Sequence, residues 1–305
     1  MRVLEGPFST WPRPARAAAA TIGVYDGVHV GHQALIRGLR TLAGDHLAVT
    51  VVTFRQHPAA VLAPDRVPPQ LTTLDQRLEL LAELGVDQVA LLDFDDELRR
   101  QSPEEFVRNV LVDGLDMSVV SVGEGFRFGH GQSGDLATLA ALGEAYGFEV
   151  APTPLVGADE PYSATRIREA LAAGRLAVVE EQLGRRFSVC GVVVVGDGRG
   201  RTIGVPTANL ALVAHQALPP HGVYAVQVSA NDDSHPAVAN IGVRPTFGGT
   251  EAVLEVHILD VEEDLYEREL CVEFVSHIRE ERAFDGVEQL VTQIKNDIAT
   301  ARSLL

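Results

Sequence analysis

Two histidines three residues apart, His29 and His32, sit in the run Thr21-Ile-Gly-Val-Tyr-Asp-Gly-Val-His-Val-Gly-His32. Neutral or charged, an imidazole can donate a hydrogen bond to a phosphate oxygen, and two of them can share a charge that develops there. Their place in the local pattern matters as much as their type. Ala18 to Tyr25 reads as a buried strand, Asp26 and Gly27 as a turn, and Gln33 to Leu42 as an amphipathic helix with Leu35, Ile36 and Leu39 inward. The histidines therefore fall at a helix start, where unspent backbone N–H groups and the positive end of the helix dipole already favour an anion. Gly23 and Gly31 let a nucleotide approach the backbone closely. The same pair could instead hold a metal or simply cap the helix. A metal needs a third ligand, and neither Cys190 nor Cys271 lies in a pattern that offers one.

Other segments supply complementary chemistry. Tyr162-Ser-Ala-Thr-Arg-Ile-Arg168 opens a helix that Ser163 or Thr165 can cap, with Arg166 and Arg168 as forked donors to β- and γ-phosphates. In Val122-Gly-Glu-Gly-Phe-Arg-Phe-Gly129, Phe126 and Phe128 offer rings that could stack on a flat heterocycle or serve only as core. His57, before Pro58, reads as a satisfied loop histidine. Gly196-Asp-Gly-Arg-Gly-Arg-Thr-Ile-Gly-Val-Pro-Thr-Ala-Asn209 joins a glycine-rich turn to an extended run. Thr207 and Asn209, two apart, can turn their oxygens to one side and hold a magnesium ion, leaving the loop amides for phosphate. Spacing alone does not choose between Glu255 and Glu273 as a strand carboxylate with a chemical role.

The elements that must position these groups change character along the chain. Strands near 18–25, 47–54, 88–93, 118–122 and 148–152 alternate with helices near 33–42, 74–84, 103–113 and 135–146. That rhythm predicts a parallel α/β sheet with its ligand site at the carboxyl ends of the strands. From Phe187 strands follow one another across Gly, Pro and Asp turns with no helix until about Ala283, which predicts an antiparallel β-barrel and a C-terminal helix. The boundary is placed near Arg185, giving domains 1–185 and 186–305.

Composition narrows the function. A formal net charge of −17 argues against a broad basic surface for nucleic acid, so the ligand is small. Lys295 is the only lysine, which excludes a Gly-x-x-x-x-Gly-Lys-Ser/Thr phosphate loop and leaves no lysine for a Schiff base in the α/β region. No apolar run is long enough to span a bilayer and no secretory signal opens the chain, so a cytoplasmic location is expected. The two cysteines fall in strands and read as small buried thiols, with no disulfide framework. Nothing in the sequence sets an oligomeric state.

The segment ending at His32 resembles the His-x-Gly-His signature of the nucleotidylyltransferase superfamily, and its longer form is similar to the bifunctional riboflavin kinase/FMN adenylyltransferase family, the FAD synthetases. Tyr25 stands where that family usually has Phe. Val51-Val-Thr-Phe-Arg-Gln-His-Pro58 resembles Thr-Phe-Asp-Pro-His-Pro with Arg55 and Gln56 as departures. The Phe126 loop resembles Val-Gly-x-Asn/Asp-Phe-Arg-Phe-Gly with Gly125 for the polar residue, and Ala164 departs from a Ser-Ser-Thr-x-Ile/Val-Arg pattern. The Pro206-Thr-Ala-Asn209 run resembles the flavokinase signature, with Val205 for Phe and Val195 for a common histidine. Asn240-Ile-Gly-Val-Arg-Pro-Thr-Phe-Gly248 and Glu255-Val-His-Ile-Leu-Asp260 match further segments.

The resemblance implies a Rossmann-like nucleotidylyltransferase domain followed by a flavokinase barrel. It implies riboflavin, FMN and ATP as substrates, Mg2+ as cofactor, and no nucleic-acid or membrane partner. It makes His29, His32, Arg168 and Glu255 catalytic. Gly23, Asp26, Gly31, Phe126, Phe128, Ser163, Thr165, Arg166, Gly198, Arg201 and Gly204 become ligand contacts, and Thr207 and Asn209 metal ligands. The departures cluster in the first domain and predict a slower adenylyl transfer. The alternatives are a riboflavin kinase whose first domain is weakened or inactive, and a flavin-binding regulator without turnover.

Overall fold

The structure is a computed structural model describing all residues except 13–14, 155, 158–159, 197–199, 201–202, 231–232, 247–248 and 262, with backbone alone at 244–246 and 249–251. Chain packing divides it into two compact units, one of Met1–Pro68 and Leu74–Ala164, the other of Pro69–Thr73 and Thr165–Leu305.

The first unit is built on a wholly parallel sheet of β1 (Arg2–Leu4), β2 (Ala18–Ile22), β3 (Ala48–Phe54), β4 (Gln88–Leu92), β5 (Met117–Gly123) and β6 (Glu149–Thr153). The spatial order is β1-β4-β3-β2-β5-β6. β2 is buried at all five positions, as expected of a strand covered on both faces. Its neighbours β3 and β5 lead to opposite edges, so the order reverses at β2. That reversal opens a crevice at the carboxyl ends of β2 and β5.

Between the strands run α1 (Val30–Ala43), α2 (Ala59–Leu62), α3 (Leu74–Glu83), α4 (Pro103–Phe106) and α5 (Leu136–Tyr146). In α1 the buried positions are Ile36, Leu39 and Ala43, while Leu35 is only half-buried. The helix begins before Gln33 because its first turn, Val30-Gly-His32, forms on backbone grounds without an apolar repeat. The helix expected over 103–113 starts at a capping box, with Ser102 Oγ accepting from the Glu105 N–H and Glu105 Oε2 accepting from the Ser102 N–H. It widens into a π-helix over Val107–Gly114. β1 and α2 are too short to show a period.

Beyond Pro69–Thr73, the second unit takes in α6 (Ala164–Ala172) from Thr165 onward and α7 (Leu176–Leu183). A closed antiparallel barrel follows, in the order β10-β11-β8-β7-β12-β9. Its strands are β7 (Ser188–Val194), β8 (Ala208–Ala211), β9 (Gly222–Ala230), β10 (Asp233–Thr246), β11 (Gly249–Ile258) and β12 (Glu269–Arg279), and α8 (Val287–Leu304) ends the chain. Along β11, Leu254, Val256 and Ile258 are buried on one face, which leaves Glu255 and His257 on the other.

One sequence expectation is overturned. Cys190 and Cys271 are not free thiols but a disulfide, since antiparallel pairing of β7 with β12 sets them directly opposite one another. Their separation of 81 residues hid a pairing that only strand register creates.

Candidate active sites

In the first unit, His29 is the N-cap of α1 and His32 lies in its first turn. The first intrahelical bond runs from the Gln33 N–H to the His29 carbonyl at 3.0 Å, so the helix itself does not use the N–H groups of Val30, Gly31 and His32. The two imidazoles stack, with ring centroids 3.7 Å apart and an interplanar angle of 22°. Glycine at 31 permits this, because a Cβ there would lie 3.1 Å from both Cε1 and Nδ1 of His29. Burial, and then the neighbouring His29, push the pKa of His32 well below the usual imidazole value. Its Nδ1 is enclosed without a hydrogen-bond partner among the described residues. The turn that delivers the pair is strained: Tyr25 and Val28 hold φ of 56° and 40°, beside Gly27 at 79°. Asp26 is 5 % exposed.

The crevice predicted at the strand ends is a pocket of about 710 Å³. Its walls come from the segments after β2, β3 and β5, including Gly23, Phe54, His57, Phe126 and Phe128. The Phe126 and Phe128 rings stack on each other at 5.4 Å, and Phe54 meets Phe94 edge to face at 5.5 Å. His57 Nδ1 accepts from the Ala59 N–H at 3.1 Å, so its ring proton resides on Nε2. It is both a loop-capping histidine and part of the wall.

The segment carrying Ser163, Thr165, Arg166 and Arg168 forms the start of α6. Ser163 stands immediately before the first helical residue, where a cap belongs, while Thr165 lies inside the helix. Arg168 Nε donates to the Pro69 carbonyl at 2.6 Å.

In the barrel, register brings the chemistry together. Glu255 on β11 pairs across with Asn209 on β8 and with Asn240 on β10, giving a row of polar side chains on one face. This face opens on a pocket of about 330 Å³ lined by Thr207, Asn240, Glu255, His257 and Arg279, with Leu290, Ile294 and Asp297 contributed by α8. A second pocket, of about 260 Å³, lies against Val256 and Ile258 on the opposite face of β11 and reaches Glu263, Asp264 and Tyr266. Thr207 lines both. Asn209 is 8 % exposed, and its Oδ1 has no hydrogen-bond partner among the described residues. An orphaned buried carbonyl oxygen two residues along the chain from a threonine hydroxyl is a donor type that suits a hard cation such as Mg2+. His257 donates from Nδ1 to the Pro206 carbonyl at 2.8 Å, which holds the strand-entry run in place. Gly204 takes φ of +78°, a conformation that favours glycine. Gly198 and Arg201 lie outside the described residues.

Residues 12–166 match the family model described as FAD synthetase, and residues 183–305 match the one described as Riboflavin kinase. The bifunctional riboflavin kinase/FMN adenylyltransferase of Escherichia coli (strain K12) is 41% identical over 99% of this chain and 97% of its own length. That of Pseudomonas fluorescens is 42% identical over 100% of this chain and 98% of its own. The chain belongs to the bifunctional riboflavin kinase/FMN adenylyltransferase family. A solved structure described as a macrolide-efflux protein from Streptococcus pneumoniae is also similar, with 31% identity, a TM-score of 0.88 and 99% of each chain covered. Among the described residues no helix is long and apolar enough to cross a membrane.

Membership in this transferase family gives the departures a physical reading. Arg55, where the family usually has Asp, is held by Glu5 at 2.8 Å and Asp93 at 3.0 Å. At Gly125 a Cβ would meet nothing within 4 Å, so a polar side chain there would project into open space beside the pocket. The Tyr25 hydroxyl is paired with Thr21 Oγ1 at 2.7 Å.

Several lining residues escaped the sequence reading. Phe54 and Phe94, which line the aromatic pocket, were not singled out. Asp297 carried a usable signal, since it shares one helical face with Leu290, Ile294 and Ile298 and is 3 % exposed. It receives Arg279 Nη2 at 2.8 Å. Arg77 sits in no motif.

Proposed function

We propose that the barrel unit phosphorylates riboflavin to FMN with ATP, and that the α/β unit adenylylates FMN to FAD with a second ATP, releasing pyrophosphate. The observation that carries the kinase reading is the pair of pockets on opposite faces of β11 with Thr207 common to both. The Glu255 side takes the flavin, and the Asp264 side takes ATP. Glu255 accepts the proton of the riboflavin 5′-hydroxyl while that oxygen attacks the γ-phosphorus, and ADP departs. Thr207 Oγ1 and Asn209 Oδ1 would hold a magnesium ion, which offsets charge on the phosphates when bound.

In the α/β unit the FMN phosphate oxygen attacks the α-phosphorus of ATP, and the bond to pyrophosphate breaks. No base is required, because the nucleophile is already an anion. His29, His32 and the N–H groups of the α1 first turn stabilise the charge passing to pyrophosphate. The aromatic pocket receives the isoalloxazine of FMN. We assign the transferase function to residues 1–185, the kinase function to 186–305, and the site of action to the cytoplasm.

The test is to incubate the protein with riboflavin, ATP and magnesium and to resolve FMN and FAD chromatographically over time. FMN should appear first and FAD after it. Neither should form once divalent ions are stripped with a chelator, and readdition of magnesium should restore both. Turnover without any divalent ion would reject the role given to Thr207 and Asn209.

A further inference from the structure

Arg77 stands on α3 in the α/β unit and is only 6 % exposed. A guanidinium enclosed to that degree needs fixed acceptors, and Arg77 finds them at both terminal nitrogens while its buried Nε has none among the described residues. Its Nη1 donates to the Val24 carbonyl at 2.8 Å, and its Nη2 to the carbonyls of Phe54 at 2.8 Å and Arg55 at 3.3 Å. Val24 follows the end of β2, Phe54 closes β3, and both line the aromatic pocket. Thr53 Oγ1 reaches the same Val24 carbonyl at 3.0 Å, so the two strand ends are tied twice at one atom. Burial lowers the pKa of Arg77, and the charge of Asp26 opposes that fall.

Directly after Val24 comes the turn in which Tyr25 and Val28 hold positive φ. Such conformations persist only where the surroundings over-determine them. We infer that Arg77 is a positioning residue for adenylyl transfer: it clamps the end of β3 to the start of the Tyr25–Val28 turn, and thereby fixes where His29 leaves that turn to begin α1. The inference rests on the assignment of adenylyl transfer to this unit. Three carbonyls on two separate strand ends call for the planar fork of arginine, whereas a lysine ammonium reaches only part of the set.

The test compares Arg77→Met and Arg77→Lys in the full chain, with FMN adenylylation and riboflavin phosphorylation measured on the same preparation. Phosphorylation serves as the folding control, because the residues assigned to it lie in the other compact unit. Arg77→Met should lower kcat for adenylylation by about tenfold or more, with riboflavin phosphorylation within about twofold of the parent. Arg77→Lys should recover part of that loss. The effect should appear in kcat at saturating FMN and ATP, as expected when a group misplaces catalytic donors without removing a substrate contact. Adenylylation within twofold of the parent in either folded variant overturns the inference. So does a loss confined to KM, or one matched by an equal fall in phosphorylation. Should Arg77→Met fail to fold, Arg77→Lys decides on the same criteria. A parent that converts no FMN to FAD would instead reject the underlying assignment, before any variant is read.

Discussion

The α/β unit and the barrel unit face different problems of phosphorus chemistry, and their side chains differ accordingly. In the first, the groups at the strand ends are donors: two stacked imidazoles, helix N–H groups and no carboxylate with an assigned proton to take. In the second, the row across β8, β11 and β10 presents Asn209, Glu255 and Asn240, with a carboxylate at its centre. On the proposed assignment this contrast follows from the nucleophile. A phosphate monoester arrives ionised and needs only charge stabilisation, whereas a primary hydroxyl must lose a proton as it attacks. The protonation state of the attacking group, more than the fold that carries it, decides whether a base is built.

The strongest way to break that comparison is to exchange the fates of the two sites. Glu255→Gln keeps size and shape but removes the base, and should slow riboflavin phosphorylation by about two to four powers of ten while conversion of supplied FMN to FAD stays within twofold. His29→Ala should do the reverse, with adenylylation down by about two powers of ten or more. Chromatography of the products from each variant checks both. Equal loss of both reactions in one well-folded variant would show that the division of labour is wrong.

A smaller effect sharpens the account of the histidine pair. Gly31→Ala places a Cβ against the His29 ring at 3.1 Å, so the ring must shift by a few tenths of an ångström. Adenylylation should fall by about tenfold. Because alanine is favoured over glycine inside a helix by about 1 kcal/mol, thermal stability should hold or rise while activity drops. An unchanged rate would mean that the stacked arrangement is not the working one.

These contrasts also show what the sequence could and could not reveal. The parallel sheet was legible because strands such as Ala48–Phe54 are short runs of Ala, Val, Thr and Phe without a charge, and they alternate with helical periods. His29 and His32 were legible because they interrupt that rhythm at a strand-to-helix junction. The row Asn209, Glu255, Asn240 was not legible from spacing, since antiparallel register joins residues far apart in the chain; Glu255 could be preferred over Glu273 only through the family resemblance. Register likewise hid the Cys190–Cys271 bond. Arg77 was invisible for another reason: an arginine in an amphipathic helix reads as solvated until its carbonyl partners are known.

Acid should distinguish the units more gently. Burial depresses the pKa of His32 in the folded state, so below the ordinary imidazole value of about 6.5 the unfolded chain binds a proton that the folded chain refuses. Stability of the α/β unit therefore rises with pH through this region and is lost as pH falls from about 7 towards 5. The slope contributed by His32 is at most about 1.4 kcal/mol per pH unit. Thermal melts across that range should show a shallower dependence in His32→Asn than in the parent. An identical slope in both would mean that His32 titrates as freely in the folded protein as in the unfolded one.

The smallest expected change tests whether Tyr25 belongs to the catalytic half of the comparison or only to its frame. Its hydroxyl is buried and paired with Thr21 Oγ1, and its ring lies 4.6 Å from that of His32. Tyr25→Phe keeps the ring against His32 but leaves the Thr21 hydroxyl, on a fully buried residue, without that partner. The cost should be about 1 to 2 kcal/mol of stability, the range for an unsatisfied buried hydroxyl, with both activities within twofold of the parent. Thr21→Val added to Tyr25→Phe removes the orphaned group as well, so the double variant should be more stable than Tyr25→Phe alone. Failure of that recovery would place the stabilising contact elsewhere. A selective drop in adenylylation at unchanged stability would assign the tyrosine hydroxyl to the chemistry, where phenylalanine, the residue usual at this position, could not replace it.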